Sequence, residues 1–291
     1  MASGWIILDK SSGLYSRTAG GKLARMFDEK TSGHIGTLDP MATGVLPIAI
    51  GNATKIIPFV EERPGADEKE YDFSMQFGFE TDTLDTTGVE TKRDNFIPDT
   101  QDVLNVLSKF VGQIQQVPPQ YSAVHVAGRR AYEIARAGRV ADITPRSVRI
   151  FSLEFTGIKD SSWHFHTRCG RGTYVRSLAR DIASAVGAIA TVDMIHRTRT
   201  GAFTLKDAVK LDFLENVVNN GGDVKEFLMN TDSVLGDIPV MNLDDKSGAL
   251  YGHGGFINVA ADNGLYRVYS GKTFIGIGMV DDGVLRPKRT I

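Results

Sequence analysis

Apolar and polar residues alternate along several stretches of the chain, and this period of two predicts β-strands with one buried face. The alternation is clearest from Tyr71 to Phe77 and from Trp163 to Cys169, and Val148 to Phe155 forms a further predicted strand. Residues 4–9 and Val45 to Ile50 are short apolar runs, which indicate buried strands.

Apolar residues spaced at intervals of three and four predict helices elsewhere. The predicted helices cover residues 16–29, a segment beginning at Asp99, residues 173–186 and residues 207–219. Residues 31–44 are rich in glycine, threonine, aspartate and proline and predict a loop, whereas residues 117–130 predict an extended arm.

The pattern changes after about Ile238, where short alternating runs are separated by glycine turns. This pattern predicts a small all-β module of about 50 residues. Such a module is too small to fold well without docking on the rest of the chain. Upstream, strands and helices follow one another without a regular βαβ repeat. The sequence therefore predicts an α+β fold and not a doubly wound sheet.

Composition adds limits on the class of protein. The chain has 291 residues, 42% hydrophobic and 23% charged, which is typical of a globular protein and excludes a disordered or fibrous one. Its single cysteine, Cys169, cannot form an internal disulfide. The N-terminal segment lacks the pattern of a signal peptide, and no stretch has the ~20 apolar residues of a membrane span. We expect a cytoplasmic protein with no membrane association.

Basic residues concentrate in one part of the chain. Residues 121–200 contain 13 lysines or arginines and 6 acidic residues, although the whole chain has a formal net charge of −2. All but one of these basic residues are arginines, whose planar guanidinium suits phosphate groups. The segment has the charge expected of a nucleic-acid interface, and an ordinary solvated face is the alternative.

Two glycine-rich segments contain candidate functional residues. Residues 33–47 place one carboxylate, Asp39, directly before Pro40 in a tightly specified loop. That aspartate could carry chemistry or could bind only backbone groups at a turn. A glycine turn at residues 170–172 leads into a predicted helix that begins near Tyr174 and Arg176, and such a helix start suits an anion. The histidines lack the companion residues of a metal site, so we expect no metal ion.

These segments together resemble the catalytic motifs of the bacterial tRNA pseudouridine-55 synthases, the TruB family. The matching stretches are the aspartate motif at residues 33–46, the tyrosine motif Lys69-Glu70-Tyr71 with Gly78, the arginine motif at residues 168–176, and residues 117–123 and 128–132. They occur in family order over roughly residues 5–205, so the resemblance covers most of the chain.

The resemblance implies a pseudouridine synthase-like α+β fold with a mixed, mainly antiparallel sheet flanked by helices. Residues 1–236 would form the catalytic domain, and residues 237–291 a small PUA-like RNA-binding module. The implied activity is an isomerase reaction that converts a flipped-out uridine at position 55, in the TΨC loop, into pseudouridine without a cofactor. The implied partner is the T-arm stem-loop of tRNA, and we expect a monomer.

The resemblance also assigns roles to particular side chains. Asp39 is implied as the catalytic carboxylate, acting on C1′, on C6 or on the C2′ proton. Arg176 would keep Asp39 ionised, and Tyr71 would stack on uracil with its hydroxyl near C5. The implied RNA-binding residues are His34, Asp85, Tyr174, Arg129 and Arg130.

The chain departs from the family pattern at two places. Ser11 follows Lys10 where the family usually has proline, and Ile195-His196-Arg197 replaces a leucine followed by two arginines. Two other classes of protein remain open from the sequence. One is a non-catalytic RNA-binding or tRNA-folding protein of the same fold, and the other is a glycosidase or nucleoside hydrolase acting at C1′.

Overall fold

A computed structural model describes residues 2–291 and confirms the α+β fold class. The strands are β1 (Gly4–Lys10), β2 (Ser32–His34), β3 (Thr43–Ile50), β4 (Lys69–Phe77), β5 (Phe79–Thr81), β6 (Glu90–Arg93), β7 (Gly112–Gln116), β8 (His125–Val126), β9 (Arg129–Arg130), β10 (Arg146–Lys159), β11 (Ser162–Cys169), β12 (Ala190–Thr200), β13 (Phe203–Thr204), β14 (Val209–Lys210), β15 (Met229–Asn230), β16 (Val240–Leu243), β17 (Ile257–Asn258), β18 (Gly264–Ser270), β19 (Thr273–Asp281) and β20 (Val284–Thr290). The helices are α1 (Ser16–Met26), α2 (Ile57–Glu61), α3 (Thr100–Leu107), α4 (Ala131–Arg136), α5 (Val175–Ala185), α6 (Leu211–Asn219) and α7 (Asp245–Gly252).

The chain divides into two compact units. The first unit contains the residues up to Leu38 together with 46–66 and 206–291, and the second contains 39–45 and 67–205. Helices found in residues 2–291 are all too short or too polar to cross a bilayer.

The second unit contains a mixed, mainly antiparallel sheet, as expected. Its strands lie in the antiparallel order β12, β4, β11, β10, β7, and the first residues of β3, Thr43 and Gly44, pair in parallel with β12. Helices α3 and α5 contact these strands. The predicted alternation of β4 is confirmed, since Tyr71, Phe73, Met75 and Phe77 are all buried. The ring of Phe73 stacks on that of Phe165 in β11 at a centroid distance of 5.1 Å.

The first unit contains a smaller set of strands around β1. Strand β1 pairs in parallel with β14 and antiparallel with β15, and β2 pairs antiparallel with β3. Trp5 and Leu8 of β1 are fully buried, as is Leu23 of α1. The first unit therefore has its own apolar core.

Residues 240–290 form a five-stranded sheet in the order β16, β18, β19, β20, β17, which confirms the predicted C-terminal β module. Its core contains Tyr251, Val268, Val280 and Leu285. The module also contains one helix, α7, which the alternating pattern did not predict.

Several predicted boundaries were wrong where pairing depends on distant residues. The predicted loop 31–44 contains β2, because Ser32 to His34 pair with residues of β3. The predicted helix 207–219 begins only at Leu211, since Val209 and Lys210 pair with β1. The arm at 117–130 ends in a short hairpin of β8 and β9.

Candidate active site

The loop bearing Asp39 is fixed by backbone hydrogen bonds and by one glycine. The amide of Ala42 donates to the carbonyl of Asp39 at 3.1 Å, closing a turn that contains Pro40. Gly44 follows with a φ of +99°, and a Cβ there would overlap the carbonyl of Arg197 in β12. Any other residue at position 44 would therefore push the loop away from β12.

Arg176 holds the Asp39 side chain. Its Nε lies 2.8 Å from Asp39 Oδ2, and its Nη1 lies 3.3 Å from Asp85 Oδ2. Nη1 also donates to the carbonyl of Thr83 at 2.7 Å, and Nη2 donates to that of Tyr121 at 3.1 Å. The resemblance implied the pairing with Asp39. The guanidinium thus reaches three separate loops, those that carry Asp39, Asp85 and Tyr121.

Exposure separates the two carboxylates beside Arg176. The side chain of Asp39 is 33% exposed, whereas those of Arg176 and Asp85 are 4% and 5% exposed. A substrate can reach Asp39 but not Asp85. A permanent positive charge at 2.8 Å favours the ionised form of Asp39.

The carboxylate of Asp85 accepts hydrogen bonds from residues of its own loop. Its Oδ1 accepts hydrogen bonds from the Thr83 hydroxyl at 2.9 Å, from the Thr87 amide at 3.0 Å and from the Thr87 hydroxyl. A direct contact between Asp85 and displaced bases stays a prediction, and it would require this loop to open.

Tyr71 lies on the buried face of β4 and faces Arg197 of β12 across the strand pair. Burial raises the pKa of its hydroxyl to about 12, and the nearby Asp39 charge contributes to the rise. Arg197 acts in the opposite direction, through its charge and a side-chain hydrogen bond to Tyr71. Tyr71 is therefore a neutral phenol at pH 7, with an adjacent cation that stabilises negative charge on its oxygen.

Arg197 is a site residue that the sequence analysis did not single out. It is fully buried, and its Nε donates to the carbonyl of Val45 at 2.8 Å. The local pattern gave no signal for it, because β12 also contains Asp193, His196 and Arg199. The neighbouring departure, His196, bonds Thr43 at 2.8 Å on the face opposite Tyr71.

Tyr174 packs beside the hairpin of β8 and β9. It is half-buried against a small apolar cluster that includes Val124, Ala131 and Ile143, and burial raises the pKa of its hydroxyl. Arg129 and Arg130 are exposed on β9 in the same hairpin. Their predicted contacts with RNA stay predictions.

His34 belongs to the first unit, where its Nε2 lies 3.1 Å from the Thr37 hydroxyl. The other departure, Ser11, lies in a turn that Lys10 closes by donating to the carbonyls of Ser11 and Leu14, at 3.0 and 2.8 Å.

Neither the cysteine nor a metal cluster offers an alternative centre. Cys169 is buried, and burial raises the pKa of its thiol to about 11, which disfavours the nucleophilic thiolate. In the part of the chain that the structure describes, no group of three or more His, Cys, Asp or Glu side chains is placed to hold a metal ion.

The fold is shared with chains of known structure. One is described as "Crystal Structure of a Cbf5-Nop10-Gar1 Complex" (TM-score 0.68, 22% identity, 99% of this chain and 84% of that chain). Another is described as "Structure of H/ACA RNP bound to a substrate RNA containing 2'-deoxyuridine" (TM-score 0.66, 20% identity, with the same coverage). By fold, the chain is an α+β protein of the same type as these two, with a C-terminal β module.

Sequence comparison assigns the family. The model "TruB family pseudouridylate synthase (N terminal domain)" matches residues 24–175, and two TruB C-terminal models match residues 176–236 and 239–291. The chain is 37% identical to "tRNA pseudouridine synthase B" of Gluconacetobacter diazotrophicus over 99% of this chain and 97% of the relative. The protein of the same name from Rhizobium johnstonii is also 37% identical, over 99% and 95%. The chain belongs to the TruB family of pseudouridylate synthases.

Proposed function

We propose that this protein converts one uridine of tRNA, at position 55 in the T arm, into pseudouridine, with Asp39 as the catalytic carboxylate. The observation that carries the assignment to Asp39 is its ion pair with the buried Arg176, at 2.8 Å, while its own carboxylate stays accessible. The proposed tRNA substrate is supported by two relatives that match almost all of this chain, because both bear the name tRNA pseudouridine synthase B.

The reaction breaks the N1–C1′ bond of uridine, turns the base and joins C5 to C1′. The proton on C5 leaves and N1 gains one, so there is no net oxidation and no leaving product. Asp39 acts at C1′, at C6 or on the C2′ proton; its exposed, ionised oxygens suit each route. Because a stacked uridine cannot reach a loop carboxylate, the nucleotide must flip out of its stack.

Tyr71 is the group proposed to sit against the base and to handle the C5 proton. With a pKa of about 12 it keeps its own proton at pH 7, so it acts as a base only if that proton moves first. Arg197, which donates a hydrogen bond to Tyr71, stabilises the phenolate that this step requires.

The remaining assignments concern how the RNA is held. His34, Asp85, Tyr174, Arg129 and Arg130 are the proposed RNA-binding residues. Two arginines exposed on a hairpin supply phosphate contacts that fix position without reading sequence. We assign residues 1–236 to the catalytic domain and residues 237–291 to an RNA-binding module, and expect a cytoplasmic monomer.

The activity is tested with an unmodified tRNA transcript and the purified protein. We expect pseudouridine at a single position, 55, when the product is mapped by carbodiimide labelling and primer extension. Tight binding with no pseudouridine would favour the non-catalytic RNA-binding alternative. Release of free uracil would favour a hydrolase.

Replacing Tyr71 by phenylalanine removes the hydroxyl and keeps the ring, so the variant tests the role of the hydroxyl alone. We expect Tyr71→Phe to lower kcat by about 10²-fold or more, the usual size of a proton-transfer contribution, while KM changes by less than about threefold. Single-turnover and steady-state assays measure the two constants. Tyr251→Phe is the matched control, because it removes another buried hydroxyl that has no hydrogen-bond partner among residues 2–291. Equal kcat in the Tyr71→Phe and wild-type proteins would remove the hydroxyl from the mechanism.

A further inference from the structure

Tyr121 bonds two different partners through its backbone and its side chain. Its carbonyl accepts a hydrogen bond from Arg176 Nη2 at 3.1 Å, and its hydroxyl donates to Asp82 Oδ2 at 2.9 Å. The hydrogen bond to Asp82 raises the pKa of this hydroxyl, so Tyr121 remains a donor throughout the neutral pH range. Tyr121 lies in the arm between β7 and β8, and it joins the buried guanidinium of Arg176 to a second loop.

Asp82 lies at the base of that second loop, the one that carries Asp85. The amide of Asp82 donates to the Val89 carbonyl at 3.0 Å, and its Oδ1 accepts from the Val89 amide at 2.8 Å. These two hydrogen bonds close the loop. Thr83, the next residue, offers its carbonyl to Arg176 Nη1 at 2.7 Å. Asp82 is therefore one peptide bond away from a group that holds Arg176.

The contacts form a closed path, which we call the hydrogen-bond circuit. It connects Arg176 to the Tyr121 carbonyl and the Tyr121 hydroxyl to Asp82. It then passes along the backbone to Thr83, whose carbonyl accepts from Arg176. Within the circuit, the bond between Tyr121 and Asp82 ties the arm directly to the Asp85 loop.

The circuit determines where the guanidinium of Arg176 lies. Because a guanidinium is planar, the two carbonyls that hold Nη1 and Nη2 also fix the position of Nε. That Nε lies 2.8 Å from Asp39 Oδ2. A shift of either loop would turn the guanidinium plane and change its contact with Asp39.

The arm has a separate attachment at its beginning. Ser177 and Arg180 of α5 both donate to the carbonyl of Val117, at 2.8 and 3.0 Å. Tyr121 lies four residues further along the chain. The path of the arm therefore does not depend on the Tyr121 hydroxyl alone, and we expect a variant without this hydroxyl to fold.

We propose that Tyr121 and Asp82 are positioning residues, whose hydrogen bond holds Arg176, and through it the Asp39 carboxylate, in the geometry that the reaction requires. The proposal rests on the proposed function, since it takes the reaction of Asp39 as given. Both residues act through Arg176 and not on the uridine. The structure thus extends the set of residues that determine kcat beyond those that contact Asp39.

Tyr121→Phe removes the hydroxyl and keeps the carbonyl that Arg176 contacts. We expect kcat for pseudouridine formation to fall by about tenfold, as for a lost hydrogen bond to a charged group, while KM changes by less than about twofold. Tyr132→Phe is the matched control and should keep wild-type kcat, because Tyr132 lies in α4 with its ring against the guanidinium of Arg136. Single-turnover and steady-state assays measure both constants.

A double-mutant cycle tests whether Tyr121 acts through Arg176. In the Arg176→Lys background, Tyr121→Phe should lower kcat by less than about twofold, because the circuit is already broken. An equal loss of kcat in the wild-type and Arg176→Lys backgrounds would overturn the proposal. Unchanged kcat in Tyr121→Phe itself would overturn it as well.

Asp82 provides a second pair of variants. Asp82→Asn keeps an oxygen for the Val89 amide and places a nitrogen where it can donate to the Tyr121 oxygen, so kcat should stay within about threefold of wild type. Asp82→Ala should lose at least as much as Tyr121→Phe, and adding Tyr121→Phe to it should cost less than about twofold more. Equal losses in Asp82→Asn and Asp82→Ala would show that charge, and not the hydrogen bond, is what Asp82 supplies.

A final measurement needs no substrate. The Nε atom of Arg176 is inaccessible to water, so exchange of its hydrogen reports how tightly the guanidinium is held. In protein labelled with ¹⁵N-arginine, the signal is identified by its absence from Arg176→Lys. We expect at least fivefold faster exchange in Tyr121→Phe and wild-type exchange in Tyr132→Phe. Equal exchange in wild type and Tyr121→Phe would overturn the circuit, whereas the expected exchange without any pseudouridine from the wild-type protein would overturn the proposed function alone.

Discussion

Asp39→Asn is expected to abolish pseudouridine formation, with kcat at least roughly 10⁴-fold below wild type, as is usual when a reacting side chain is removed. Asparagine has nearly the same shape, so the Asp39 loop should keep its backbone path. Asparagine cannot, however, attack C1′, add to C6 or accept a proton as a carboxylate does. All three routes open to Asp39 therefore fail together. Single-turnover assays on a tRNA transcript measure the loss.

The binding of RNA should distinguish lost chemistry from lost structure. We expect Asp39→Asn to bind the transcript with an affinity within about threefold of wild type, because phosphate contacts supply most of the affinity. Asp72→Asn is a suitable control, since Asp72 is the neighbour of Tyr71 on the opposite face of β4 and pairs with His166. Wild-type rates in Asp39→Asn would remove this aspartate from the reaction.

Local patterns predicted the strands well because alternation reports burial directly. Strand β4 was expected from Tyr71 to Phe77 and extends only two residues further toward the N-terminus. Strands β2 and β14 were missed, because each is defined by pairing with a distant strand and not by its own pattern. Such pairing follows from the tertiary fold, which short-range periodicity does not encode.

The residues of the candidate site also fall into those that the sequence identified and those that only the structure showed. Asp39, Tyr71 and Arg176 lie on a loop, a strand and a helix far apart in sequence, and only the resemblance to a family grouped them. The burial of Asp85 beneath Arg176, and the contact of Arg197 with Tyr71, came only from the structure. Both depend on which face of an element a charged side chain occupies, and on what covers that face.

The geometry of Arg176 leads to the second large effect, for Arg176→Lys. The guanidinium contacts Asp39, Asp85 and the carbonyls of Thr83 and Tyr121 at once. A lysine ammonium carries the same charge on a single nitrogen, so it cannot reach all four oxygens. We expect kcat to fall by about 10²-fold or more because the Asp39 carboxylate loses its fixed position, as measured in single-turnover assays.

Stability is the competing explanation for that loss, and a control on the same helix addresses it. Arg180 lies one turn further along α5, where it bonds Asp181 and the carbonyl of Val117 at 3.0 Å. Arg180→Lys repeats the chemical change away from Asp39 and should keep activity within about threefold of wild type. Thermal unfolding of both variants shows whether they are folded at the assay temperature. A folded Arg176→Lys protein with wild-type kcat would mean that positive charge alone, and not the four-oxygen contact, is what Asp39 requires.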